Sequence, residues 1–137
     1  MDSRIFTSGE KVKIKLSLKA NEDVDSVVVG ILIRDRFGQD IFGANTHHLH
    51  KVASLKAGEG KLYEYGFHLN IGTGRYTLTT AAHKDDTHIG ESYHWCDSVL
   101  NFEVTGSKDY MFAGLVRLDL ELNITKLPDG LLERSSG

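Results

Sequence analysis

Val12, Ile14, Leu16 and Leu18 alternate with Lys11, Lys13, Lys15, Ser17 and Lys19. A period of two sustained over this run predicts a strand with one face in a core and one in water. The next run, Val27-Val28-Val29-Gly30-Ile31-Leu32-Ile33-Arg34, is apolar almost throughout and predicts a central strand covered on both faces. A polar turn over Asp35 to Asp40 then hands over to Ile41-Phe42-Gly43. Between Lys61 and Leu69 the alternation returns, with Tyr63, Tyr65, Phe67 and Leu69 on one face. Gly72-Thr73-Gly74 reads as a turn into a strand from Arg75 to His83, where Tyr76, Leu78, Thr80 and Ala82 oppose Thr77, Thr79, Ala81 and His83. Val99 to Val104 places Leu100, Phe102 and Val104 inward, and a last strand is predicted from Leu115 to Ile124.

Seven or more short strands separated by turn signals, with no convincing helical period, predict an all-β antiparallel sandwich. A barrel is the alternative. The order Gly74-Arg75-Tyr76-Thr77-Leu78 suggests a tyrosine corner, in which the phenol bonds to backbone at a sandwich end; a merely half-buried Tyr would fit the same residues. Residues 5–125 are read as one domain, with 105–114 connecting to the last strand and 126–137 as a flexible tail. The final strand, strictly patterned after a polar break, would be a liability as an open edge. It is therefore expected to pair within the chain or with a second copy, giving a homodimer through Leu115 to Ile124.

Composition narrows the function. The chain has 137 residues, 40% hydrophobic and 26% charged, which suits one soluble domain. No stretch approaches the roughly 20 apolar residues of a spanning helix, and Met1 to Arg4 lacks the apolar segment of a secretory signal. A net charge of -3 gives no general pull on phosphate backbones, so nucleic acid is not expected as a partner. Cys96 stands alone, which excludes an internal disulfide and a thiolate zinc cluster. The phosphate-binding G-x-x-x-x-G-K-[ST], the G-x-S-x-G nucleophile elbow and H-E-x-x-H are all missing.

Seven His residues fall between positions 47 and 94, and imidazole with carboxylate can ligate zinc, copper or iron. Their spacing matches no recognised ligand pattern, so no metal and no cofactor are expected, and Cys96 with His94 lacks a third orienting group for nucleophilic catalysis. A different mixture stands out: Arg34 and Asp35; His83, Asp85 and His88; Tyr93, His94, Trp95 and Asp97; and Asn101. Planar polar side chains bond paired sugar hydroxyls, while an aromatic face lies against sugar C–H groups. Packing of Trp95 in the core and an ion pair between Arg34 and Asp35 are the structural alternatives. An ion pair of that kind would contribute on the order of 0–1 kcal/mol.

Val29-Gly30-Ile31-Leu32-Ile33-Arg34-Asp35-Arg36-Phe37-Gly38 through Asn45-Thr46 resembles a stretch of the C-terminal domain of Wzt proteins. Those are the nucleotide-binding subunits of ABC transporters that export O-antigen polysaccharide. Gly74-Arg75-Tyr76-Thr77-Leu78 to His83, then His88-Ile89-Gly90 and Tyr93-His94-Trp95 to Val104, resemble the same family, as does the opening Phe6-Thr7-Ser8-Gly9-Glu10. The resemblance implies an immunoglobulin-like sandwich that binds the exported glycan, often at a modified non-reducing end, and dimerises by exchanging its last strand. It implies a cytoplasmic place at the inner face of the inner membrane, beside an ATPase domain and a membrane subunit, with no insertion of its own. The expected carbohydrate-binding residues are Arg34, Thr77, Thr79, His83, Tyr93, His94, Trp95 and Asn101, with no catalytic residue. Two rivals remain at this point: a metal-dependent, cupin-like sugar-modifying enzyme, and a plain protein–protein interaction module.

Overall fold

A computed structural model describes residues 4–86 and 91–127, and along 85–86 and 91–97 the backbone alone. Eight strands are present: β1 (Arg4–Ser8), β2 (Lys11–Lys19), β3 (Val24–Asp35), β4 (Asp40–Asn45), β5 (Ala53–Leu55), β6 (Gly60–His68), β7 (Gly74–Asp86) and β8 (Glu91–Ser107). They form two layers. The larger sheet runs β1-β8-β7-β3-β4, with β5 also on β3, and the smaller is the β2-β6 hairpin-like pair. All pairings are antiparallel except β1 with β8, which is parallel and makes the large sheet mixed.

The alternation along each strand decides which face meets the other layer. On β3, Val27, Val29, Ile31 and Ile33 are buried, and on β7 so are Tyr76, Leu78 and Ala82. Each such side chain stabilises the fold by roughly 1.5–3 kcal/mol relative to exposure when it is a large aliphatic. The small sheet lays Val12, Ile14, Leu16, Tyr63, Tyr65 and Phe67 over them. The Tyr65 hydroxyl donates to the Val29 carbonyl oxygen at 2.6 Å, tying the two layers together; burial pushes its pKa up. β3 is central as expected, between β7 and β4, but its second face is only half-buried: Val28, Gly30 and Leu32 carry no layer above them among the described residues.

Tyr76 forms the tyrosine corner. Its hydroxyl donates to the Gly72 carbonyl oxygen at 2.7 Å, and its ring stacks on Phe102 at 5.4 Å. Tyr76→Phe removes the donor and leaves a buried carbonyl without it, which costs about 1–3 kcal/mol. Chemical denaturation is expected to show that loss with an unchanged dependence on denaturant.

The expected last strand differs from the structure. From Leu115 to Ile124 there is no strand, only an isolated bridge between Ile71 and Val116. The root of this segment is nonetheless fixed: Gly72 N–H donates to the Leu115 carbonyl and Arg117 N–H to the Asn70 carbonyl. The Arg117 guanidinium is buried, donates to the Lys108 carbonyl at 2.9 Å and lies over the Tyr110 ring. A side chain on Gly72 would collide with the Gly114 backbone, so this close approach requires glycine. The Tyr110 hydroxyl still donates to the Leu118 carbonyl, and after that the chain leaves the body. Leu118, Leu120, Leu122 and Ile124 are 69 to 86% exposed, because alternation without a neighbouring strand has nothing to bury against.

Candidate functional site

β3, β7 and β8 lie side by side, and cross-strand partners share a face. Arg34 stands opposite Thr77, and Thr77 opposite Asn101, so these three form one polar row on the face of the large sheet that the small sheet leaves uncovered. The next row on that face is Leu32, Thr79 and Val99. One row further, Gly30 faces Ala81, and these small residues keep the floor of the face low. Beside the first row opens a cleft of about 450 Å³, lined by Arg36, Arg75, Tyr76, Thr77, Asn101 and Glu103 among others.

The charges there are arranged by the β3–β4 turn. Arg34 Nε donates to Asp40 Oδ1 at 2.8 Å, so its ion-pair partner is Asp40 rather than the neighbouring Asp35. Asp35 Oδ1 instead accepts the Phe37 and Gln39 N–H groups, closing the turn. That closure puts the Arg36 guanidinium 4.6 Å from the Phe37 ring centroid and presents it to the cleft. Arg75 stands opposite Glu103. Burial, with a smaller contribution from Asp35, pushes the Tyr76 phenol up in pKa and keeps it a neutral donor. The result is a shallow polar cleft with two guanidinium groups, a carboxylate, an amide and hydroxyls, and Arg34 supplies a third guanidinium in the row beside it. It can offer paired donors and acceptors to a polyhydroxylated ligand.

His83 lies on the same face but six residues along β7 from Thr77, about 20 Å away at strand rise. It faces Val28 on β3 and His94 on β8, just past a register shift between Ala82 and His83. Nearby, Lys84 Nζ sits 2.7 Å from Glu22, whose carboxyl is held below its ordinary pKa by that hydrogen bond and charge. The structure thus gathers Arg34, Thr77, Thr79 and Asn101 at one end and places His83 at the other. The side chains of Tyr93, His94 and Trp95, the expected aromatic platform, lie outside the described residues. Asp85, His88 and Asp97 do so too. Among the described residues no group of three or more His, Cys, Asp or Glu could hold a metal ion.

Arg36, Arg75 and Glu103 are the members of the site that the sequence pattern did not single out. Arg75 and Glu103 alternate outward on their strands, a signal that was present but equally fits a solvated face. What marks them is the β7–β8 register, which sets them beside Asn101.

No helix is long and apolar enough to cross a membrane among the described residues. The profile of the Wzt C-terminal domain family matches residues 2–118. Among solved structures, one described as the crystal structure of the C-terminal domain of wzt superposes with a TM-score of 0.74 at 19% identity, covering 88% of this chain and 73% of that one. No curated protein matches the chain.

Proposed function

Because the chain belongs to the Wzt C-terminal domain family, part of the ABC transporters that export O-antigen, we propose that it is a non-catalytic module that binds the O-antigen polysaccharide at its modified non-reducing end. The observation that carries this reading is the uncovered face of the large sheet, where Arg34, Thr77 and Asn101 align beside a cleft holding Arg36, Arg75 and Glu103. Sugar hydroxyls bond to the planar polar groups, and a guanidinium pairs with any phosphate or carboxylate on the terminal residue. His83 lies too far along the face for one sugar to reach both ends, so an oligosaccharide is laid along β7. Tyr93, His94 and Trp95, expected from the sequence to bind sugar, belong to the stretch of β8 that pairs with this end of β7. The module works at the inner face of the inner membrane, next to the ATPase domain and membrane subunit of the exporter.

A single shallow site binds weakly, since sugars give up well-made bonds to water on entering. Pairing two sites compensates. The apolar residues after Arg117 project without cover, and β2 pairs only with β6 among the described residues, leaving its other edge open. Exchange of the segment Leu115 to Ile124 between two copies satisfies both, and a homodimer raises apparent affinity through effective concentration.

Calorimetric titration with the O-polysaccharide of the bacterium that carries the chain tests the reading. Saturable binding is expected, weakened about tenfold by Asn101→Ala, the loss of one or two hydrogen bonds, and further by Arg34→Ala. Removal of the terminal modification is expected to abolish it. A flat titration with folded protein, or binding indifferent to Arg34, Thr77 and Asn101, would favour a protein-docking module. Stoichiometric zinc or iron in untagged protein would favour the enzyme.

A further inference from the structure

We propose that the sugar lying over the Arg34, Thr77 and Asn101 row is a 6-deoxyhexose, and that Leu32, Thr79 and Val99 select it by receiving its C6 methyl group. This rests on the carbohydrate-binding reading and specifies the class of sugar that reading leaves open.

The uncovered face of the large sheet changes character from one row to the next. Arg34, Thr77 and Asn101 offer a guanidinium, a hydroxyl and an amide. In the following row, Leu32, Thr79 and Val99 offer two aliphatic side chains and a threonine methyl beside a single hydroxyl. In the row after that, Gly30 and Ala81 bring no polar side chain. Val99 is 66% exposed. Leu32 is kept low by its neighbour on β4: Gly43 stands opposite it, and a Cβ on Gly43 would come within 3.0 Å of the Leu32 Cδ1. The leucine therefore leans over the glycine instead of standing up from the sheet. A shallow aliphatic strip results, running across β4, β3, β7 and β8 with the polar row along one side.

The spacing of the rows fits one pyranose. Successive positions on one face of a strand are about 7 Å apart, close to the length of a pyranose ring with its exocyclic carbon. C2 and C3 carry neighbouring hydroxyls at one edge of the ring, and C5, which bears C6, is at the opposite edge. With the hydroxyl pair on the polar row and the glycan laid along β7, C6 comes over Leu32, Thr79 and Val99. In a hexose that carbon carries a hydroxyl, which gives up water where, within the row, only Thr79 can replace the bond. A polar group covered without a partner costs free energy. In a 6-deoxyhexose the same carbon is a methyl group, and its contact with the strip takes apolar area of both partners out of water. A flat aromatic platform would not draw this distinction, since it takes the C–H face of any pyranose. Low aliphatic side chains beside a polar row do draw it. The expected preference is about tenfold, the low end of what one methyl-sized difference achieves in an enclosed apolar pocket.

Sugar analysis of the O-polysaccharide from the bacterium that carries the chain, followed by competition against its binding to the full chain, tests the selection. The polysaccharide should contain a 6-deoxyhexose. The methyl glycoside of that sugar should displace it at about one tenth of the concentration needed for the methyl glycoside of the matching hexose, which differs only in O6. The 3-O-methyl ether of the hexose, which brings a methyl group at another position, should do no better than the hexose itself. Val99→Thr keeps the shape and adds a hydroxyl, and should cut the preference to about threefold or less. Thr79→Val removes the hydroxyl of the row and should widen the preference; if that hydroxyl held O6, the preference would narrow and binding would fall. Circular dichroism and an unchanged urea midpoint confirm that both variants are folded. A polysaccharide without 6-deoxyhexose, or equal displacement by the two glycosides, overturns the selection and leaves carbohydrate binding standing. A folded chain that binds no polysaccharide removes carbohydrate binding, and the selection with it.

Discussion

Leu55→Ala is expected to destabilise the domain by about 2–5 kcal/mol, the range for emptying a well-packed aliphatic site. Leu55 ends the three-residue strand β5, yet it is 0% exposed. It pairs with Val24 and closes the cluster of Leu18, Ala20, Val27, Val29 and Ala82. That end of the sandwich is lined by small and β-branched residues, which collapse poorly into a cavity. Against a typical total of about 5–15 kcal/mol the loss is large. Urea denaturation checks it, through a lower midpoint at constant slope. Leu62→Ala, at an exposed site on β6, should stay within about 0.5 kcal/mol. Equal losses at both positions would mean that β5 does not cap the core.

The importance of Leu55 shows where sequence patterning stops. β2 and β6 were legible because strict alternation over a full strand length fits little besides a half-buried strand, and their partition into core and solvent faces agrees with the structure. β7 was legible for the same reason; β3 was legible as a continuous apolar run, although its outer face is half-buried rather than covered, and the Tyr76 bond to Gly72 decides between the corner and the merely half-buried ring that the sequence left open. β5 has three residues, too few to show any period. β1 has five, and its parallel pairing with β8 joins opposite ends of the chain, a contact no local pattern announces. Leu115 to Ile124 misled in a different way. The alternation is real, but a pattern states only what a segment would bury, and the partner strand must come from elsewhere.

The candidate site divides along the same line. Arg34, Thr77, Thr79 and Asn101 could be chosen from residue chemistry and strand parity, since parity alone puts Thr77 and Thr79 on one face. Their adjacency depends on the β3–β7 and β7–β8 registers, which are fixed by tertiary pairing. Arg36 reaches the cleft only because Asp35 closes a particular turn. The Arg34–Asp40 bond likewise needs the chain to double back. Both follow from the path of a single turn, invisible to a reading that asks only which residue types are neighbours.

Ending the chain at Arg117 is expected to leave a folded monomer whose apparent affinity for a multivalent polysaccharide falls by roughly a hundredfold or more. The fold should survive because residues 118–127 are exposed throughout and join no strand. The backbone bonds that fix the root, from Gly72 to Leu115 and from Arg117 to Asn70, and the Arg117 bond to Lys108 lie before the cut, which removes only the Leu118 carbonyl that accepts from Tyr110 and the Asp119 carboxylate beside Arg117. What the cut removes is Leu118, Leu120, Leu122 and Ile124, whose exposure makes no energetic sense in a single copy. The open cleft beside β2 should then bind an apolar dye more strongly than the full-length chain does. Light scattering, circular dichroism and a titration against immobilised and short soluble glycan separate the effects: short glycan should bind nearly as before, because Arg34, Thr77 and Asn101 lie on a single chain. A truncated chain that still dimerises would mean that another surface joins the copies. One that loses short-glycan binding would place the site across two chains rather than on the face of one.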